Sequence, residues 1–249
     1  MSFGDCTWTE IRDMLAAGPV VVMAPCGAVE AHGPHLPLNT DVIISEGVAR
    51  RAAAMLTARG ISTLILPALS YAPAAYAEAF AGTIGIGAET ARAQLVDIGR
   101  SLHGQGIACL GLANSHFDPA NVAMLRAAAA DISQLGLRVA FPDFTRRALA
   151  QQLTPEFQSG ACHAGQFETS LVLADRPDLV RAQAQLALAE NPASLTEAFS
   201  RGAKTFEEAG GPLAYFGAPA AASAAEGERS YAIMAQALAD AVRDALGAA

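Results

Sequence analysis

Hydrophobic positions along this chain follow two rhythms. Short unbroken apolar runs, Pro19-Val20-Val21-Val22-Met23-Ala24, Ser62-Thr63-Leu64-Ile65-Leu66-Pro67 and Gly106-Ile107-Ala108-Cys109-Leu110-Gly111-Leu112-Ala113, have the length and β-branched content of strands buried on both faces. Leu135 to Val139 reads as a fourth, shorter strand. Between the runs, apolar residues recur at helical spacing: Trp8, Ile11 and Leu15; Val48, Ala52, Ala53 and Leu56; Ala91, Leu95, Ile98 and Leu102. Gly18-Pro19 ends the first of these helices, and Gly60 supplies a left-handed C-terminal cap for the second. A closing amphipathic helix is predicted over Glu228 to Leu246, with Ile233, Leu238, Ala241 and Leu246 available to the core. Strands alternating with helices predict an α/β fold with a mostly parallel sheet and right-handed crossovers.

Composition narrows the class without changing that picture. The 249 residues suffice for one sizeable core and show no linker or repeat, so a single domain over residues 1–249 is expected. Hydrophobic residues at 52% and charged ones at 16% argue against disorder. A net charge of −8, with Lys and Arg scattered, offers no basic stripe and sets nucleic acid and anionic membranes aside as partners. No apolar stretch reaches the roughly 18 residues a membrane helix needs, and Met1 to Asp5 lacks the pattern of a signal peptide. Cys6, Cys26, Cys109 and Cys162 stand far apart with no Cys-x-x-Cys pair, which fits a reducing cytoplasm.

The candidate chemistry gathers where the apolar runs end. After the first run comes Cys26-Gly27-Ala28-Val29-Glu30-Ala31-His32-Gly33-Pro34-His35-Leu36-Pro37-Leu38-Asn39-Thr40-Asp41, at a strand's carboxyl end, where open parallel sheets collect ligands. Glu30 and His32 are two apart and leave extended backbone on the same face. Asp41 stands immediately before the helical pattern that opens Val42-Ile43-Ile44. Two carboxylates and an imidazole without thiolates form a donor set for Zn²⁺, Mn²⁺ or Fe²⁺. Taken alone, the same residues also fit ordinary loop polars, with Asp41 as a helix N-cap.

The third run delivers Asn114-Ser115-His116-Phe117-Asp118-Pro119 to the same end of the sheet. By itself His116 also fits a core histidine satisfied by a backbone carbonyl, and Asp118 followed by Pro119 fits an N-cap. Further on, Ala161-Cys162-His163-Ala164-Gly165-Gln166-Phe167-Glu168-Thr169-Ser170 places a carboxylate near the start of an apolar helix and His163 on a Gly-containing loop. His103, at the end of the third helical pattern, reads as a solvated last-turn residue and stays outside the site.

Together these three motifs resemble the signatures of the creatininase (creatinine amidohydrolase) family: Gly-x-x-Glu-x-His-Gly-Pro-His-Leu-Pro followed by Asp, then Asn-x-His, then His-Ala-Gly-x-x-Glu-Thr-Ser. The resemblance implies a three-layer α/β/α fold and two divalent cations, zinc foremost, with manganese or iron as alternatives. One cation is implied on Glu30, Asp41 and His116 and the other on His32, Asp41 and Glu168, with Asp41 bridging and a hydroxide between them. His163 is implied as the acid/base group, shuttling a proton to the leaving nitrogen. His35 is expected to support a ligand rather than bind metal, because the ligand count is already filled. Asp118 corresponds to a position where creatininase has a Glu that can join the metal site, a role compatible with capping. Cys26 is expected as a packed wall. The Gly82-Thr83 turn also resembles the family, although Ala77 stands where a His commonly precedes it. A homo-oligomer, commonly a hexamer, is implied as well.

The reaction so implied is hydrolysis of a C–N bond in a small amide, cyclic amide or formamide. Creatinine fits poorly, because the creatininase pocket uses tryptophans near its catalytic loops and the one tryptophan here is Trp8. Ser159, Gly160 and Ala161 offer no aromatic cover. Two alternatives stand beside it: a dinuclear hydrolase or isomerase acting on a cyclic ketone or lactone, and a metal-containing scaffold that binds without catalysis. Residues 151–160 are expected to be a mobile cover over the site, and residues 176–211 surface helix and lid.

Overall fold

A computed structural model describes residues 1–247, so the last two positions of the expected 1–249 span lie outside the described residues. The strands are β1 (Val20–Cys26), β2 (Ser62–Ile65), β3 (Cys109–Asn114) and β4 (Arg138–Ala140), paired in parallel in the order β2-β1-β3-β4. The helices are α1 (Trp8–Ala17), α2 (Thr40–Thr57), α3 (Ala88–Gly104), α4 (Pro119–Gln134), α5 (Arg147–Ala150), α6 (Pro155–Ser159), α7 (Gln166–Asp175), α8 (Ala182–Ala187), α9 (Leu195–Ser200) and α10 (Ala224–Leu246). Among the described residues, no helix is long and apolar enough to cross a membrane.

Helices cover both faces of the sheet, which is why the strands read as unbroken apolar runs. Val21 and Met23 of β1 pack with α2, α7 and α10, through Ile44, Val48, Leu171, Met234 and Leu238. Val20, Val22 and Ala24 point the other way, to Ile11 of α1, Leu95 and Leu102 of α3, and Leu125 and Ile132 of α4. Each fully buried Val, Leu or Ile contributes about 1.5–3 kcal/mol relative to exposure. The result is the three-layer α/β/α arrangement expected from the family resemblance.

The winding of the chain sets the location of the site. From β1 it crosses by α2 on one face to β2, then by α3 on the opposite face to β3 on the far side of β1. The strand order therefore reverses between β1 and β3, and a crevice opens at their carboxyl ends. The two last residues there, Cys26 and Asn114, are register partners. Gly27 follows at once, and a Cβ on it would lie 2.7 Å from the Val42 nitrogen and 2.8 Å from the Asp41 carbonyl carbon. Only glycine lets the end of β1 come so close to the start of α2.

Several boundaries depart from the sequence reading. The fourth strand runs Arg138–Ala140 instead of from Leu135, because Leu135 caps α4 and Gly136, at φ 101°, turns the chain out of it. α10 starts at Ala224, ahead of Glu228, since the Ser223 hydroxyl accepts the Glu226 N–H as an N-cap. α2 begins at Thr40, so Asp41 lies inside its first turn and the N-cap is Asn39. Trp8 does not join Ile11 in the core: it is 73% exposed in the first turn of α1, with the Arg12 guanidinium over its ring at 5.3 Å. The stretch expected as a mobile cover contains α6, whose Phe157 is buried against Phe117 and Phe167.

Candidate metal centre

Backbone bonds from distant loops shape the stretch after β1. The Glu30 N–H donates to Leu38 O (2.9 Å), the Ala31 N–H to the Thr83 hydroxyl (3.0 Å) and the Ile84 N–H to Val29 O (2.9 Å). Held between these partners, Glu30 and His32 turn toward a common point. The first turn of α2 brings Asp41 to it, and the Ser115 hydroxyl donates to the Asp41 carbonyl at 2.6 Å. Asn114 and Asn121 both donate through Nδ2 to His116 O, at 2.9 and 2.8 Å, and so set the loop after β3. Glu168 enters from the first turn of α7, with its Oε2 accepting the Ala164 N–H at 2.7 Å. That contact requires Ala164 at φ 51°, a left-handed conformation uncommon for a non-glycine residue.

Glu30, His32, Asp41, His116 and Glu168 are all buried. Each histidine of this set hands its outer ring N–H to a backbone carbonyl and turns the other nitrogen inward. His32 Nδ1 lies 3.1 Å from Glu30 O, leaving Nε2 at 3.2 Å from Asp41 Oδ1 and 3.5 Å from Glu168 Oε2. His116 Nε2 lies 2.6 Å from Pro73 O, leaving Nδ1 at 3.1 Å from Asp41 Oδ2 and 3.3 Å from Glu30 Oε1. Asp41 thus presents one oxygen to each imidazole. His163 follows the same rule: Nε2 donates to Ala31 O at 2.9 Å, and Nδ1 faces Glu30 Oε1 at 3.7 Å.

Buried carboxylates gathered this closely demand positive charge. Against the lowering effect of burial, Asp41, Glu168 and Glu30 push His32 up to about 10. Burial also lowers His116, but Glu30 and Asp41 hold it well above the ordinary imidazole range. Burial raises the Glu168 carboxyl to about 8, whereas Asp41 and Glu30 are held low by the facing imidazoles despite their burial. Burial drives His163 down to about 4, with His32 adding to the shift, so its ring is neutral near pH 7.

Divalent cations meet the same demand, and two observations test the fit. His32 Nε2 and Asp41 Oδ2 are buried without hydrogen-bond partners and point into the cluster. Donor atoms of Glu30, Asp41 and His116, and separately of His32, Asp41 and Glu168, lie within 4.8 Å of one another, so Asp41 belongs to both groups. A third group joins Glu30 and His32 to His163. Nitrogen and oxygen donors whose outer N–H groups are already oriented suit zinc, manganese or iron.

The other residues singled out in the sequence fall around this centre. His35 is buried and bonds Thr169 Oγ1 through Nε2 at 2.9 Å, next to Glu168 and outside the ligand groups. Asp118 caps α4 by accepting the Ala120 N–H at 2.7 Å, lines the cavity and is pushed up by burial. Cys26 is a wall, its thiol pushed up to about 12 by burial. Ala77 is fully buried with Ala31, Phe206 and Phe216.

Residues not singled out also shape the site. The Phe206 ring lies 4.3 Å from that of His163, and Tyr76, Leu195, Phe199 and Cys162 complete the cavity. Glu156 accepts the Gln166 and Phe167 N–H groups at the start of α7, at 2.9 and 2.8 Å, and the Ala218 N–H at 2.7 Å. Three of these, Leu195, Phe199 and Phe206, come from the stretch expected as surface helix and lid. In the sequence they look like ordinary helix-face apolars, and Glu156 like a first-turn acid.

A doubly wound α/β sheet carrying buried carboxylate and imidazole groups at its switch point defines an α/β protein with a candidate metal-binding centre. Comparison with known proteins gives the family. The family model for creatinine amidohydrolase matches residues 4–242, and the chain belongs to the creatininase family of metal-dependent amidohydrolases. It is 34% identical over 193 residues to the creatinine amidohydrolase of Pseudomonas putida, covering 71% of this chain and 72% of that one. It is also 34% identical over 221 residues to the mycofactocin precursor peptide peptidase of Mycobacterium ulcerans (strain Agy99), covering 86% and 80%. A crystal structure of creatininase superposes with TM-score 0.78 at 28% identity, covering 99% of this chain and 98% of its own. A manganese form gives 0.76 at 29%, covering 98% of both chains.

Proposed function

We propose that this chain hydrolyses a C–N bond in a small amide, cyclic amide or formamide, with two divalent cations, zinc foremost, on Glu30, His32, Asp41, His116 and Glu168. The observation that carries the reading is Asp41, which offers Oδ2 to the group of Glu30 and His116 and Oδ1 to the group of His32 and Glu168. Bound there, the cations supply a Lewis acid and lower the pKa of a water.

The chain's own part is orientation and proton transfer. Backbone carbonyls of Glu30 and Pro73 hold the two ligand imidazoles in the tautomers that face inward. Neutral His163, tied by Nε2–H to Ala31 O, keeps a lone pair on Nδ1 toward the centre. It takes a proton from the attacking water at Nδ1 and returns it to the leaving nitrogen. Phe199 and Phe206 exclude bulk water from that transfer. Cys162 also lines the cavity, but burial and the nearby Glu168 and Glu156 carboxylates raise its thiol, so it is no nucleophile.

The test combines elemental analysis of protein purified without added metal with turnover of an amide panel and of a lactone and cyclic-ketone panel. Near two equivalents per chain, falling in His32→Ala and Glu168→Ala, together with amide turnover, is the expected result. Lactone or ketone turnover alone moves the assignment to the alternative bond, and a chain that takes up no metal is a scaffold. A peptide C–N bond is the second reading, favoured by the large groove that adjoins the small cavity over the ligands. Assembly as a homo-oligomer, a hexamer by family resemblance, belongs to the same proposal and is read from the mass in solution.

A further inference from the structure

Over the ligand groups the cavity is small, about 50 Å³, room for water or for the reacting end of a substrate. A groove of about 700 Å³ adjoins it, and Phe117, Cys162, Leu195 and Phe199 line both. That volume is in the range that takes an organic molecule of drug size. Val122, Phe144 and Phe157 make its walls apolar, and Gly160 contributes no side chain to fill it.

The charge in this groove is of one sign. Its charged lining residues are Arg126 and Arg147, and no carboxylate lines it among the described residues, on a chain whose net charge is −8. Arg126 is already committed, with Nη2 2.5 Å from the buried Asp143 carboxylate, and Arg146 reaches the same carboxylate at 3.3 Å. Arg147, exposed on α5, makes no ion pair among the described residues. Two guanidiniums thus share one carboxylate while a third, Arg147, lines the apolar groove without a pair among the described residues, where an anionic group is attracted and held by a planar fork of donors.

We propose that this groove binds the non-reacting arm of the substrate, and that the arm is apolar and ends in a carboxylate held by Arg147. The inference rests on the amidohydrolase reading above and gives it a substrate class: a linear amide whose scissile end reaches the metal centre while its carboxylate lies at α5. In the reaction, water oxygen bonds to the carbonyl carbon, the C–N bond breaks, and the nitrogen leaves with a proton as the amine of the arm. Acylated ω-amino acids and the C-terminal end of a short peptide share this chemistry.

Binding and turnover test it separately on the metal-loaded protein. Calorimetry compares 8-aminooctanoate and the dipeptide Leu-Phe with their neutral methylamides, on the wild type and on Arg147→Ala and Arg147→Lys. Acetate release is measured from the N-acetyl derivatives of the same compounds and from N-acetylbutylamine. The expected result is about a tenfold preference for the free carboxylate in Kd, reduced by added salt, nearly abolished in R147A and partly kept in R147K. Thermal melting of the variants controls for folding. Which compound binds better separates the ω-amino acid from the peptide source. Equal binding of carboxylate and methylamide, or a preference that survives R147A, overturns the subsite. Carboxylate-selective binding with no acetate release from any compound supports the subsite and overturns the amidohydrolase reading instead.

Discussion

His163 donates its Nε2–H to the carbonyl of Ala31 over 2.9 Å, joining two motifs that lie 132 residues apart. The bond selects the tautomer: with Nε2 protonated, the lone pair sits on Nδ1, on the side of Glu30. A proton carrier so placed contributes to kcat and not to metal retention. His163→Asn is therefore expected to lower kcat about a hundredfold or more while bound metal stays at the wild-type level. Elemental analysis beside steady-state kinetics checks this, and full activity in the variant would remove His163 from the mechanism.

Metal uptake is expected to release protons. In the metal-free protein His32, pushed up to about 10, and His116, held well above the ordinary range, carry protons at pH 7 that a cation must displace. Zinc affinity should rise with pH between about 6 and 8, and calorimetry in buffers of different ionisation heat should show the protons leaving. The stability of the metal-free protein has the opposite sign. A histidine whose folded pKa exceeds its unfolded value of 6.5 stabilises fully below 6.5, and that stability is lost as pH rises through about 10. Melting temperatures of metal-free protein should fall over that window, and a flat profile would refute the assigned charge state.

Glu156 acts through the elements it fastens. Its carboxylate accepts N–H groups from Gln166 and Phe167 at the start of α7 and from Ala218, and so holds the turn that carries His163 and the helix that carries Glu168. The fit is close: a Cβ at Gly165 would lie 2.5 Å from Glu156 Oε1. Glu156→Gln keeps the shape but replaces one acceptor oxygen with a donor, which leaves a buried N–H without a partner and costs about 1–3 kcal/mol. A lowered melting temperature with weaker zinc affinity is the expected outcome. Unchanged zinc affinity would make the residue a stabiliser of the fold alone.

Gly27 tests the contact between β1 and α2. In Gly27→Ala the added methyl would stand 2.7 Å from the Val42 nitrogen, so the helix start must shift, at a cost of about 1–3 kcal/mol. Because Asp41 rides on that turn, metal content should fall further than in a control such as Gly104→Ala, whose Cβ would meet nothing within 4 Å. Equal metal content in the two variants would separate the helix start from the centre.

What the sequence determined by itself is local. Unbroken apolar runs announce β1 and β3 because helices bury both faces of the sheet, and such burial leaves a composition that can be read without coordinates. The residues of the candidate centre were named through the family resemblance: taken alone, Glu30 with His32 also fits loop polars and His116 a core histidine, and only the three motifs together pointed to a metal centre. Element ends were less legible, as Trp8, Ser223 and Gly136 show, since a cap or a rotation depends on what the neighbouring segment offers. Only the tertiary structure decided which nitrogen of each histidine faces inward, because carbonyls of Glu30, Pro73 and Ala31 choose it. It alone brought Glu156 to α7, Phe206 to His163 and Arg126 and Arg147 to one groove. These contacts join segments far apart in the chain, and nothing in the local pattern of hydrophobic and polar residues encodes a partner that only folding makes near.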